Sequence, residues 1–455
     1  APSSASSSLS SSSSSTGSDT AATLISPPGA SYAKVTIDDQ GNVWAVWRGF
    51  FPNTNGSNLI ANRYIKGQGW GNPLLLEDDG AEVDKFDLYT DPLSGRTTVI
   101  WTQLTSAAAY DLWVRRYDPA TGWAAPERIE NTDSSMGLFA KPVTDSNGKV
   151  IAVWSQQLVL GRFSIVSSIY SPGSGWSTPQ EIEDNNVLGG QDGTPSLALL
   201  SNGEAIAVWL NSANNRLNIA TNVYSPTSGW GSDQILIADT GGNMSVNHPE
   251  IINDGNARAL LAWGQWDSLG GGNFTSRIMT KAYNNGWQEA TVVIGEDAGS
   301  DLVSAPQLAS SGNGAAAVTW ARKNQGVMVN TRATNGTWGE QQIIKPGNAD
   351  FLQSLPRVAL DAGGNGLLVW SQESNDNTTK DSWFSSFNGS AGNWSSAQLL
   401  ENFVGTAVEP VVASNTAGDR VVVWYNINNA GSAASEIYAR YFPAGVSVTA
   451  PSPQN

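Results

Sequence analysis

Residues Ser171 to Glu183 read SPGSGWSTPQEIE. The pattern stands 53 residues earlier as DPATGWAAPERIE, from Asp118, and 54 residues later as SPTSGWGSDQILI, from Ser225. Each copy is a Pro-, Gly- or Ser-bearing turn, a tryptophan, and a short run ending in apolar residues. Such a turn joins two antiparallel strands. Counting outward, the turn tryptophan recurs as Trp70, Trp123, Trp176, Trp230, Trp287, Trp338 and Trp394. A second tryptophan ends an apolar run in each unit: Trp47, Trp101, Trp154, Trp209, Trp263, Trp320, Trp370 and Trp424, spaced by 50 to 57 residues.

The position 14 residues before the second tryptophan holds Ala33, Asp87, Ala140, Pro195, Pro249, Pro306, Pro356 and Pro410. The position six before it holds Gly in seven units and Ala257 in the other. No insertion is expected within this stretch, which reads as a strand, a tight hairpin and a second strand. A third run and the tryptophan turn complete a unit of four short strands, a to d. Strand b is apolar on consecutive residues, so its sheet is covered on both faces. Four-stranded units covered on both sides by their neighbours are the blades of a β-propeller. The last unit has strands a, b and c but stops at YFPAG without a tryptophan turn, while AATLISPPG precedes the first strand a. The expected fold is all-β: an eight-bladed β-propeller of four-stranded antiparallel blades, its last blade closed by the N-terminal strand. Residues 1–20 read as a serine-rich flexible linker, 21–443 as the propeller and 444–455 as a C-terminal tail.

The Gly-Trp turn between strands c and d resembles that of secreted bacterial tryptophan-repeat propellers. In blade topology it also loosely resembles the Asp-box of sialidase-type propellers; ATNGTW, Ala333 to Trp338, is the nearest copy and lacks the aspartate. The resemblance implies a fold and transfers no catalytic residue.

The chain has 455 residues, 24 basic and 40 acidic, a net charge of -16, and no cysteine. An acidic protein is a poor partner for nucleic acid. No apolar run is long enough for a membrane-spanning helix. With the chain opening on a serine-rich stretch as though already trimmed, the expected setting is bacterial, secreted or at the cell surface or periplasm. The d-to-a segments carry 17 acidic and two basic residues, so the loop-rich face is expected to be acidic. Cations, neutral glycans or protein are favoured there over anionic ligands. No cofactor is expected; calcium is the one metal these loops suit, with Asp78, Asp79, Glu82 and Asp84 as candidate ligands.

Zinc chemistry and a Ser-His-Asp triad are poorly served by one histidine, His248, and no cysteine. The column containing His248 also holds Tyr32, Phe86, Phe139, Thr194, Ala305, Leu355 and Glu409. That column reads as too apolar for acid–base work, so no catalytic residue is assigned. Two residues after each strand-b tryptophan stands a mostly amide column, including Gln103, Gln156, Gln265 and Gln372. Amides can tie loops together or contact a ligand. With the loop aromatics Phe50, Phe51, Tyr110, Trp266 and Tyr425 they form the candidate binding set. The expectation is a non-catalytic binding or scaffold propeller that recognises a protein or neutral glycan through its acidic loop face. The alternatives are a glycoside hydrolase with a carboxylate pair in the channel mouth and a structural subunit of a surface assembly.

Overall fold

A computed structural model describes residues 21–451, apart from loop positions 52, 53, 55, 79, 106–109, 131–135, 160–161, 184–192, 214–215, 240–243, 272, 299–303, 323–324, 347–354, 374–378, 403–404 and 428–434. The described chain is all-β and forms eight antiparallel sheets, each in the order a-b-c-d. The a strands are Ser31–Ile37, Val83–Thr90, Met136–Thr144, Gly193–Leu199, Met244–Gly255, Gln307–Ser310, Arg357–Leu360 and Thr406–Ser414. Each a strand lies beside the a strand of the next blade, and the eighth lies beside the first. The a strands therefore line a central channel, and the blades radiate from it as a propeller.

The SPGSGW turn owes its residues to its backbone. Gly173 and Gly175 take φ of +81° and +80°, a region closed to most side chains. The turn brings Trp176 opposite Tyr170 on strand c, with ring centroids 5.6 Å apart. The same pair recurs as Tyr64–Trp70, Tyr117–Trp123, Tyr224–Trp230 and Tyr283–Trp287. Each outer hairpin is thus pinned by an aromatic contact rather than by a long ladder.

The strand-b tryptophans are the cores of the blade interfaces. All eight are fully buried. Trp101 packs with Val46, Leu59 and Ala61 of the preceding blade, and Trp424 with Leu367, Val369 and Phe384 of its predecessor. Trp47 sits with Val421, Val423 and Ile437 of the last blade, so the same contact closes the ring. The amide column serves these indoles. Gln103 Oε1 accepts the Trp101 N–H at 2.8 Å and Gln156 Oε1 that of Trp154 at 2.9 Å; Gln265 and Gln372 do the same at 3.4 Å. Where the column holds Gly49, Asn211, Arg322 or Asn426, the indole nitrogens of Trp47, Trp209, Trp320 and Trp424 have no partner among the described residues. Asparagine is one methylene shorter than glutamine and does not reach back two residues.

The N-terminal strand does complete the last blade. Thr23 and Leu24 pair with Ala439 and Tyr438. Ile25 N–H donates to the Ile437 carbonyl at 2.9 Å, and Ser26 Oγ accepts the Ile437 N–H at 2.8 Å. Beyond Phe442 the chain runs back over blades seven and eight: Val448 joins their shared core, and Arg440 donates to the Thr449 carbonyl at 3.0 Å.

The uninterrupted hairpin register needs one correction. In most blades the a–b hairpin closes over four residues, as in Asp38 N–H to the Asn42 carbonyl and Asp145 N–H to the Lys149 carbonyl. In blade two it closes over five, from Asp91 to Arg96. Trp101 therefore pairs with Phe86, whereas Trp154 pairs with Ala140. One extra residue turns every side chain of strand a to the other face relative to a naive count.

The proline column also finds its reason. In blades one, four, five and eight two strand-a residues oppose one tryptophan: Tyr32–Ala33, Thr194–Pro195, His248–Pro249 and Glu409–Pro410. A bulge leaves one residue out of the ladder, so a proline there forfeits no hydrogen bond.

Deleting residues 1–16 is expected to leave the thermal midpoint unchanged, while deleting 1–30 should lower it sharply or cause aggregation by opening two sheet edges; equal midpoints would contradict closure by the N-terminal strand. Gln156→Asn is expected to strand the Trp154 indole and cost about 1–3 kcal/mol in denaturant unfolding, with no comparable loss for Asn426→Ala.

Candidate functional site

The residues that follow each strand-a bulge or its equivalent form one column around the channel. Around the ring this position holds Lys34, Asp87, Lys141, Ser196, Glu250, Gln307, Arg357 and Val411, as the a–b pairings set it. Five of the eight are charged. Six of them line one central cavity of about 800 Å³, together with Tyr32, Lys85, Phe139, Leu355 and Glu409 at its mouth. That volume falls within the range of roughly 300–1,000 Å³ typical of small-molecule sites.

The charges are ordered. Asp87 accepts from Lys34 Nζ at 2.8 Å on one carboxylate oxygen and from Lys141 Nζ on the other. One carboxylate thus bridges the inner strands of blades one, two and three. Burial pushes the Asp87 carboxyl up, but Lys141 and Lys34 outweigh burial and hold it well below the usual carboxylate range. Burial lowers the Lys34 ammonium to about 8 despite Asp87, with Lys141 adding to the fall. For Lys141 burial also works downward, yet Asp87 raises it on balance. Across the channel the carboxyls behave oppositely to Asp87. Burial raises Glu250 against the pull of Arg357 and Lys141, and its Oε2 accepts the Leu308 N–H at 3.0 Å. Burial likewise raises Glu409 against Arg357 and Lys380. The ring and the mouth together therefore hold one firmly ionised carboxylate, Asp87, and two that keep their protons to higher pH, Glu250 in the ring and Glu409 at the mouth. Divergent carboxyls within one cavity are the arrangement acid–base chemistry uses.

The mouth is strained. Tyr32 and Glu409 in its wall have φ of +53° and +51°, and Thr194 and His248, at the equivalent bulges outside the cavity lining, have +50° and +44°. Such non-glycine conformations cost on the order of 1–3 kcal/mol each and cluster where side chains are aimed for function. Tyr32 and Phe139 are exposed at the mouth; the Arg48 guanidinium lies 5.2 Å from the Tyr32 ring centroid. Exposed aromatic faces at a cavity entrance suit the apolar faces of sugar rings.

Most residues singled out from the sequence lie elsewhere. Of the described candidates only Asp84 lines the cavity. Its carboxylate is 3.5 Å from Arg48 and 3.6 Å from Lys85. Gln103, Gln156, Gln265 and Gln372 have their carbonyl oxygens on the buried indoles. Phe51, Tyr110 and Trp266 pack against blade cores, whereas Phe50 is exposed. Tyr425 packs on the first core and is raised by burial, then by Glu409 and Tyr32. Asp79 lies outside the described residues. His248 does not line the cavity, and burial lowers its imidazole. Among the described residues no group of three acidic or histidine side chains converges as a metal would require.

The acidic loops are also not simply solvated. Glu77, Glu130, Glu183, Asp239 and Glu401, which follow the strand-d runs, are buried. Glu77 accepts the Gly80 N–H and Glu401 the Ser382 N–H. Part of the acidic count is thus a repeated backbone cap, while the channel beneath it is lined by five cationic side chains, Lys34, Arg48, Lys85, Lys141 and Arg357, against Asp84, Asp87 and Glu409. No helix among the described residues is long and apolar enough to cross a membrane.

The sequence count missed the ring for an identifiable reason. Thirteen residues before each tryptophan stand Lys34, Leu88, Lys141, Ser196, Glu250, Gln307, Arg357 and Val411. The longer blade-two hairpin put Leu88 where Asp87 belongs and Phe86 where Lys85 belongs. Four charged residues in strands otherwise bound for the core were the available signal.

No family model matches the chain, and no curated protein matches it in sequence. Solved structures of similar fold include polysaccharide lyase Uly1, at 9% identity and a TM-score of 0.50, covering 85% of this chain and 94% of that one. The alpha-L-arabinanase of Penicillium chrysogenum shows 15% identity and a TM-score of 0.43, covering 69% and 98%. The Hadza microbial sialidase Hz136 shows 12% identity and a TM-score of 0.40, covering 77% of each chain. At these identities the likeness is one of fold.

The expectation of a non-catalytic binding or scaffold propeller is therefore corrected. It rested on an inner column too apolar for acid–base work. The true inner column is charged, with carboxyls held on opposite sides of their ordinary range.

Asp87→Asn is expected to leave Lys34 and Lys141 facing each other and to lower the thermal midpoint at neutral pH, partly restored by about 1 M salt, where screening acts within ~3 Å. Folded Asp87 holds its proton less tightly than the unfolded chain. Its ion pairs therefore contribute fully above the unfolded value of about 3.9 and fade as pH falls from there. The gap between wild type and Asp87→Asn should narrow over that acid range; a constant gap would contradict the ion-pair assignment.

Proposed function

We propose that this propeller is a carbohydrate-active enzyme that hydrolyses a glycosidic bond in its central channel. The observation that carries the reading is the pair of burial-raised carboxyls, Glu409 in the wall of one aromatic-rimmed cavity and Glu250 on the inner strand of blade five, with the ionised Asp87 in the same cavity wall. Glu409 is the general acid. It stands at the strained mouth, and its carboxylate has no hydrogen-bond partner among the described residues. It donates its proton to the leaving glycosidic oxygen as the C–O bond breaks. Glu250 is the base: water adds at the anomeric carbon and passes a proton to it. A carboxyl raised by burial is both a stronger base when ionised and an acid that stays protonated nearer neutrality. Asp87 takes neither role, because both its oxygens are engaged by ammonium groups and its proton affinity is too low; it fixes Lys34 and Lys141 in the wall. A secreted or cell-surface setting suits a glycan substrate.

Glu409→Gln and Glu250→Gln are expected to reduce reducing-end release from a cleaved polysaccharide by about 10²–10⁴-fold, with thermal midpoints kept. Activity should fall at alkaline pH as Glu409 loses its proton, at a pH above that of an ordinary glutamate, and Glu409→Gln should abolish that limb. Cleavage undiminished in both variants, or binding without cleavage across a broad panel, would overturn the reading.

A further inference from the structure

We infer that Arg357 is a receptor for a carboxylate on the sugar held in the channel, so that the substrate is a uronate-bearing glycan; this rests on the hydrolytic reading above. Arg357 opens strand a of blade seven and lines the cavity. Every other arginine of the chain donates a hydrogen bond within the protein. Arg357 makes no hydrogen bond or ion pair among the described residues. Its ring neighbours, Gln307 and Val411, are uncharged. Glu250, Asp87 and Glu409 are near enough to be felt electrostatically, yet none reaches it as an ion pair, and Asp87 is already saturated by two lysines.

A half-buried guanidinium in a cavity wall, with no acceptor among the described residues, is an incomplete arrangement. Removing it from bulk water is costly, and the cost is offset when its donors meet an anion. Its planar fork matches a carboxylate with two parallel hydrogen bonds, a geometry a lysine cannot copy. The surroundings favour the same occupant. In a chain of net charge -16, the cavity walls carry five cations against three anions. Low-dielectric walls focus that field on the axis and draw an anion past the acidic rim. The expectation that anionic glycans are disfavoured was drawn from loop charge alone and took no account of these cationic walls.

The test measures binding by calorimetry in the Glu409→Gln background, where turnover is removed. The probes are a galacturonate oligosaccharide, its carboxyl-reduced neutral counterpart and a sulfated neutral oligosaccharide. The uronate should bind more tightly than the neutral form. Arg357→Gln should weaken the uronate about 10–100-fold, with Arg357→Lys intermediate and the neutral form unaffected by either. Higher salt should weaken only the uronate. Equal binding of the neutral form, uronate binding unchanged in Arg357→Gln with its thermal midpoint retained, or preference for the sulfated probe would overturn the assignment. The two readings fail separately: uronate binding through Arg357 without any cleavage by wild type sinks the hydrolase alone, and cleavage confined to neutral glycans sinks the Arg357 receptor alone.

Discussion

Everything in this molecule depends on one indole per blade. The strand-b tryptophan leaves its own sheet and fills the space against the preceding blade, fully buried in all eight cases. Its size sets how far apart two blades stand at that radius. Repeated eight times, it fixes the circumference of the ring, and hence the width of the channel that the a strands enclose. The remaining apolar residues of strand b complete the contact on both faces, which is why that strand does not alternate. Because Trp47 makes the same contact with the last blade that Trp424 makes with its predecessor, the ring closes without any interface of a different kind.

That division of labour separates stability from chemistry. Blade interfaces are close-packed, and a residue there is constrained by its neighbours on every side. The inner column borders the channel, and six of its eight members line the cavity. Eight equivalent positions ring one axis, and their contacts differ from blade to blade: Ser196 and Glu250 accept backbone N–H groups of the next blade, Lys34, Asp87 and Lys141 pair with one another, and Val411 packs on the first core. They have accordingly diverged into lysine, aspartate, serine, glutamate, glutamine, arginine and valine, on a frame whose other columns repeat. The bulges opposite four of the tryptophans act in the same sense. They turn Tyr32, Thr194, His248 and Glu409 into a left-handed conformation, held there by the buried indole across the strand pair.

The repeat, the blade count and the closing strand were legible because they follow from residues that recur for packing reasons. A tryptophan every 50 to 57 residues can be counted. The inner column was not legible in the same way, since its members share no residue type. Its signal was further scrambled by a single extra residue between Asp91 and Arg96, which exchanged Asp87 for Leu88 in any fixed count. The amide column was visible, but its purpose was not: only the structure shows glutamine reaching back to the indole where asparagine falls short. The buried acids Glu77, Glu130, Glu183 and Glu401 were counted as surface charge because a carboxylate after a strand reads as a loop residue. They are buried, and Glu77 and Glu401 cap backbone N–H groups, so net charge by segment overstated the field at the mouth.

Two kinds of charge share the channel, and the contrast between them carries the functional argument. Asp87, Lys34 and Lys141 satisfy one another, so their burial is compensated within the protein. Arg357 and Glu409 make no ion pair among the described residues, although both lie in the same cavity and each feels the other. A protein under selection for stability alone would pair them or replace them with apolar residues, as Val411 already does at the neighbouring inner position. Their retention without partners is intelligible if the missing partners arrive with a ligand: an anion for the guanidinium and a leaving oxygen for the carboxyl. The closed ring is what makes this tolerable, because eight tryptophan-centred interfaces hold the strands in place whether or not the channel is filled.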